Sequence, residues 1–228
     1  MDEETDEWVR RRLGKVTASR VHDVVKVIKG GAWGAGRRKY LIELLGERFT
    51  GMRAPEGFKS EAVLWGRQTE PQAQAAYERR NGEKIDKVVF FDHPVIPMSG
   101  CSPDGLVGDH GMVQIKCPET HTHMGYLIDR AVPEPYLYQI HWELACTERR
   151  WSDFVSYDPR LPAKLAMLVI RVNRDPKIIA GLEKMAADFL REMEVITETL
   201  MGERHLESQS VGDDVYSGIV SALKGRKK

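Results

Sequence analysis

Ser102-Pro103-Asp104-Gly105-Leu106, followed by Val113-Gln114-Ile115-Lys116-Cys117-Pro118, is the stretch that decides how this chain is read. Short β-prone runs on either side of Asp109-His110-Gly111 predict two antiparallel strands joined by a tight hairpin turn. Asp104 opens the first strand. Gln114 and Lys116 lie two apart on the second, so both project to one face and converge on the space beside Asp104. A carboxylate, an amide oxygen and an ammonium in one place suit metal-assisted phosphodiester hydrolysis. The oxygens hold a hard divalent cation, and the ammonium orients water or offsets charge developing on phosphorus. The main-chain carbonyl of Ile115, near the end of the hairpin, is a further oxygen ligand on this reading. The bland alternative is a turn, because Ser-Pro-Asp-Gly is a favoured β-turn string by itself.

Working outward, helical and strand patterns alternate. Thr17-Ala18-Ser19 before Val21, Val24, Val25 and Ile28 reads as a capped amphipathic helix. A Gly-rich loop, Gly30 to Gly36, leads into a helix from Arg37 to Glu47; it lacks the Lys-Ser/Thr ending of a phosphate-cradling loop. Residues 60–80 are expected to be helical, with Val63, Leu64, Ala75, Ala76 and Tyr77 buried and Pro71 marking a kink or restart. Strands are expected at 84–91, 95–101, 104–107 and 112–117, then helices at 120–130 and 136–147. Further strands at 151–157 and 163–172 and a long helix at 175–201 follow. This order predicts an α/β fold with a mixed central sheet flanked by helices, one domain over residues 1–204, and 205–228 as a tail or terminal helix.

The chain has 228 residues, 42% of them hydrophobic, enough for one sizeable core. Its apolar runs are too short to span a bilayer, and its acidic start is unlike a signal peptide, so a cytoplasmic protein without a membrane partner is expected. Cys101, Cys117 and Cys146 form no CxxC pair, which argues against a zinc cage or disulfide framework. Lys+Arg and Asp+Glu are both 34, so the global basic bias usual in nonspecific DNA binders is missing. Basic residues are nevertheless clustered, as in Arg10-Arg11-Arg12, Arg37-Arg38-Lys39 and Arg149-Arg150. Clusters of this kind are usually solvated faces, and some contact phosphate.

Six short strings, in order over residues 8–171, carry a resemblance. They are Arg12-Leu13-Gly14, Thr17-Ala18-Ser19, Trp65-Gly66-Arg67-Gln68 with Glu70, Cys101 to Leu106, Lys116-Cys117-Pro118, and Tyr157-Asp158-Pro159-Arg160. Together they resemble the phage lambda exonuclease and YqaJ-type viral recombinase family, within the PD-(D/E)XK nuclease superfamily. The resemblance implies a restriction-endonuclease-like fold. It also implies a 5′-to-3′ exonuclease that uses Mg²⁺ (or Mn²⁺), one or two ions per site, on double-stranded DNA ends. Such an enzyme releases mononucleotides and leaves 3′ overhangs for recombination by strand annealing.

In this scheme Asp104, Gln114, Lys116 and Glu70 are catalytic, and Asp104, Gln114 and the Ile115 carbonyl hold metal. Arg12, Ser19, Ser102 and Gln139 bind the terminal 5′-phosphate, as guanidinium, hydroxyl and amide donors can. The resemblance further implies a ring-shaped homotrimer, a single-strand annealing protein as partner, and a phage or prophage origin acting in the bacterial cytoplasm.

Gln114 departs from the family pattern, which has glutamate there. An amide oxygen coordinates Mg²⁺ but brings no charge. That keeps open a DNA-end-binding module with impaired chemistry as one rival reading; an endonuclease of the same fold is the other. Trp33 is the aromatic candidate for contact with DNA bases, with a subunit contact as its alternative. His121 and His123 are expected in the helix-entry loop, exposed or near a phosphate. His22 with Asp23 and the turn residue His93 are set aside as core or surface.

Overall fold

The computed structural model describes residues 6–27, 33–53 and 61–202. The central hairpin forms as the sequence pattern predicts, from β-strands Gly105–Val107 and Gly111–Lys116. In chain order the elements are α1 (Asp6–Arg12), β1 (Val16–Thr17), a 3-10 turn (Ala18–Arg20), α2 (Val21–Val25), α3 (Ala35–Thr50) and α4 (Glu61–Asn81). Next come β2 (Ile85–Asp86), β3 (Phe91–Asp92), β4 (Ser99–Cys101), β5 (Gly105–Val107) and β6 (Gly111–Lys116). The chain continues through α5 (Thr120–Asp129), α6 (Glu134–Thr147), β7 (Trp151–Tyr157), β8 (Met167–Asn173) and α7 (Pro176–Gly202). It divides into two compact units, residues 1–190 and 191–228, with the division inside α7. The expected tail, 205–228, lies outside the described residues.

The main sheet has five strands in the order β2-β5-β6-β7-β8; β6 and β7 run parallel and the other pairs antiparallel. A smaller sheet orders β1-β4-β3. The fold is therefore the expected mixed α/β sheet flanked by helices. The two-residue period of β6 decides what covers each face. Val113, Ile115 and Cys117 pack with Ala73 and Tyr77 of α4 and with Val155. Met112 turns the other way, onto Ile140, Leu144 and Phe154. Buried on both faces, the strand contributes about 1.5–3 kcal/mol of hydrophobic stabilisation per large aliphatic side chain. Gln114 and Lys116 share the Met112 parity, which places them on the α6 side.

Several expectations are corrected. Thr17 belongs to β1 and makes no capping hydrogen bond; a 3-10 turn intervenes before α2, and Ile28 lies outside the described residues. α4 is one continuous helix with Pro71 inside it. Val63 and Leu64 are exposed, because only the later turns of α4, at Ala73 and Tyr77, lie in the core over the sheet. The hairpin turn is Gly108 to His110 rather than 109–111, and Gly111 is already paired in β6. The physical reason is a close approach: a Cβ at Gly111 would sit 2.1 Å from the Trp151 ring. Gly108, at φ +52°, takes the left-handed turn position, and the Arg149 guanidinium donates to the carbonyls of Gly108 and Gly111 at 2.6 and 2.7 Å. β8 begins at Met167 because residues 162–165 form a turn, Leu165 N–H donating to the Pro162 carbonyl. The three cysteines are free and buried, as expected.

Candidate active site

Asp104 stands in the short bend between β4 and β5, held by the end of its own hairpin. Its Oδ2 accepts from the Gln114 Nε2 at 2.5 Å and from the Ile115 backbone N–H at 2.6 Å. The β5–β6 ladder stops at Gly105↔Val113, so beyond it the inner edge of β6 is open to Asp104. Within a strand, the N–H and C=O of one residue point to the same side, so the Ile115 carbonyl faces the Asp104 side too. Gly105 makes the approach possible, since a Cβ there would meet Ile85 Cγ2 at 2.1 Å. Lys116 lies 5.2 Å from the Tyr136 ring centroid, a cation–π contact at the start of α6.

A cavity of about 330 Å³ collects the expected groups: Asp104, Lys116, Glu70, Arg12, Ser102 and Gln139 all line it, as does Ser19. Arg12 donates to Ser102 Oγ at 3.0 Å, and Ser102 donates to the Val89 carbonyl at 2.7 Å. Glu70 accepts from Gln74 one helical turn on, at 2.9 Å. Gln114 is fully buried beneath the cavity and is bonded to its floor. Gln139 Nε2 donates both to Gln114 Oε1 and to Glu143 Oε1, each at 2.8 Å. Its amide is thus engaged within the protein, and gripping a phosphate with it requires one of these bonds to be exchanged.

Trp8 and Glu143 stand out among this cavity's lining residues that the sequence does not point to. Trp8 lines it and lies under the guanidinium of Arg12, 4.3 Å from the ring centroid. Glu143, on the same face of α6 as Gln139 one turn later, is wholly buried, and its Oε2 makes no hydrogen bond. Burial and the Asp104 charge push its carboxyl up to about 8, against the pull of the Gln139 hydrogen bond, Lys116 and Arg12. Only the Gln139–Glu143 spacing of four hinted at it, and that spacing on a helix is ordinary. A neighbouring cleft of about 610 Å³ shares Trp8, Arg12 and Ser19 and carries Arg20, Lys39 and Arg53.

Elsewhere the candidates separate. Trp33 is half exposed outside this cavity, with Arg37 stacked 4.4 Å from its ring centroid; residues 28–32 of its loop lie outside the described residues. His123 is not in an exposed loop. It is completely buried in α5, bonded to Ser156 Oγ at 2.6 Å and the Leu165 carbonyl at 2.8 Å. His121 is exposed and faces Glu119. His93 is buried against Trp142, and desolvation lowers it to about 4, so it is a neutral core histidine.

The donor set fits a hard divalent cation. Asp104 and Glu70 offer carboxylate oxygens and Ile115 a carbonyl, with no soft ligand among them; the Gln114 amide turns its nitrogen to Asp104 and its oxygen to Gln139, so its oxygen becomes a ligand only once the amide rotates. One oxygen of the buried Glu143 carboxyl, in the same cavity, makes no hydrogen bond. Among the described residues no three His, Cys, Asp or Glu side chains converge as a metal cluster.

Fold and cavity together define a metal-dependent nuclease. Residues 7–150 match the YqaJ-like viral recombinase domain. The chain is 41% identical to the alkaline exonuclease LHK-Exo of Laribacter hongkongensis, covering 90% of this chain and all of that one, with a TM-score of 0.82. LHK-Exo has also been crystallised with dAMP. A phage-related exonuclease of Haemophilus somnus 129PT shares the fold at 16% identity and TM-score 0.63, over 81% of this chain and 96% of that one. No curated protein matches. The chain belongs to the YqaJ-like viral recombinase family, and it is a DNA exonuclease of that family.

Proposed function

We propose that this exonuclease degrades double-stranded DNA from its ends in the 5′-to-3′ direction with Mg²⁺ (or Mn²⁺), releasing mononucleotides and leaving 3′ overhangs for strand annealing. One observation carries the reading: a single cavity brings Asp104 and Lys116 together with the Arg12–Ser102 pair. Asp104, Gln114 and the Ile115 carbonyl would hold one or two cations, with Glu70 presented from α4. A bound cation supplies Lewis-acid stabilisation of the charge that develops at phosphorus. Lys116 Nζ orients the attacking water and adds positive charge beside the scissile phosphate. Arg12, Ser19 and Ser102 grip the terminal 5′-phosphate, with Gln139 joining once one of its present bonds is exchanged. That grip fixes the step length without reading sequence. Residues 1–204 form the nuclease domain in this reading.

A homotrimeric ring, a single-strand annealing partner and a phage or prophage setting in the bacterial cytoplasm belong to the same proposal. Support for the setting is the family itself and the lack, among the described residues, of any helix long and apolar enough to cross a membrane. Trp33, exposed and cationically stacked, is kept as a DNA contact.

The test is digestion of linear and closed circular duplex with Mg²⁺. Released nucleotides from linear duplex alone are expected. Nicking of the circle would instead indicate an endonuclease, and binding of linear duplex without digestion an end-binding module. Removing the 5′-phosphate is expected to slow digestion, and equal rates on both ends would remove the phosphate pocket from the reading.

A further inference from the structure

Asp104 and Glu143 stand at the two ends of one hydrogen-bonded chain. Gln114 donates from Nε2 to Asp104, accepts at Oε1 from Gln139, and Gln139 donates onward to Glu143. Acceptors at the two ends, Asp104 Oδ2 and Glu143 Oε1, each take a hydrogen bond from the amide beside them, which fixes the orientation of both amides. Residue 114, where the family pattern has a carboxylate, is neutral. Two links along the same chain sits a carboxylate that is completely buried, with one oxygen unbonded, in a cavity that also holds Asp104, Lys116 and Arg12. A buried charge left this way is costly unless positive charge arrives.

We propose that Glu143 supplies the negative charge the cation site lacks at Gln114, and that it acts as a positioning residue through Gln139 and Gln114 rather than as a ligand. The proposal rests on the cation-dependent reading of the site. The cation senses Glu143 across the two hydrogen-bonded amides, in an interior where charges interact more strongly than they do in water. Between Glu143 and Asp104 the two amides hold the Asp104 carboxylate in place.

A cation titration of the full-length protein without DNA, using Mn²⁺ and Mg²⁺ in a calorimeter, tests this. Glu143→Gln is expected to weaken binding by about tenfold or more. Gln114→Glu in the same chain is expected to return binding to within about threefold of the parent, a non-additive double-mutant cycle. A residue that merely packs would show neither the loss nor the rescue. Binding by Glu143→Gln within about twofold of the parent, or a loss that Gln114→Glu leaves unchanged, overturns the proposal. Should Glu143→Gln fail to fold by circular dichroism, Glu143→Asp decides: it keeps the charge, so binding must stay within about threefold, and a tenfold loss overturns the idea. No cation binding by the parent protein overturns it as well. Digestion of linear duplex is scored separately, so a protein that binds cation and shows the cycle but cuts nothing sinks the nuclease reading alone.

Discussion

Buried carboxylates are treated in opposite ways in two regions of this molecule. Beside β7 they are matched. Asp153 receives both arms of the Arg171 guanidinium at 2.9 Å and the Tyr77 hydroxyl at 2.8 Å. Asp158 receives Arg160 and the Thr120 hydroxyl; although burial alone raises its pKa, these partners bring it down to about 2. In the candidate active-site cavity Glu143 meets a single amide nitrogen, and its carboxyl rises to about 8. A carboxylate that only has to stabilise the fold is given a guanidinium. One left with an unbonded oxygen beside another carboxylate is held ready for a charge that arrives with the ligand.

That contrast is open to attack at several points. The largest expected effect is on catalysis: Asp104→Ala or Lys116→Ala lowers the rate of linear-duplex digestion by about 10³-fold or more, with circular dichroism unchanged. Full activity in the Asp104→Ala protein would refute the assignment.

The second effect is on stability in chelator. The folded Glu143 carboxyl titrates at about 8, whereas an unfolded one titrates in the ordinary carboxylate range. Between those limits the folded state holds the extra proton, so this group's contribution declines as pH rises and is fully lost above the folded value. Urea unfolding from pH 5 to pH 9 should show the parent losing up to roughly 4 kcal/mol relative to Glu143→Gln. Parallel pH profiles would erase the difference between the two regions.

A third, smaller effect falls on the matched side. Asp158→Ala removes the acceptor of Arg160 and Thr120 and should cost about 2–3 kcal/mol in urea unfolding, less than a fully buried pair because Arg160 is partly exposed. Cation binding should stay as in the parent. The smallest change is Gln114→Glu, which restores a charge to β6 and should leave digestion intact or raise it about two- to threefold at limiting Mg²⁺. A tenfold fall there would mean that the amide chain, and not the charge, is what the site needs.

Much of the fold could be read from the chain because its signals are local. β7, Trp151–Tyr157, is bounded by β-prone residues (Trp151, Phe154, Val155, Tyr157) ended by Asp158-Pro159. The central hairpin followed from β-prone runs and a glycine-containing turn. The errors came where a distant group intervened. Gly111 was assigned to the turn because nothing local shows that the Trp151 ring covers it. Val63 and Leu64 were expected to be buried because helical spacing does not tell which turns of α4 reach the sheet. His123 was placed outside by its neighbours, yet Ser156 and Leu165 enclose it from 33 and 42 residues away.

The sequence by itself determined the hairpin that carries the candidate site. Asp104, Gln114 and Lys116 are brought together by one short hairpin, and the two-residue period of a strand is enough to put the last two on a common face. Tertiary structure alone decided that Trp8 lies beneath Arg12, and that α6 lays Gln139 and Glu143 against Gln114. Burial and through-space charge are properties of what surrounds a residue. Nothing in the string Ile140-His141-Trp142-Glu143-Leu144 distinguishes a solvated glutamate from one sealed beside Asp104.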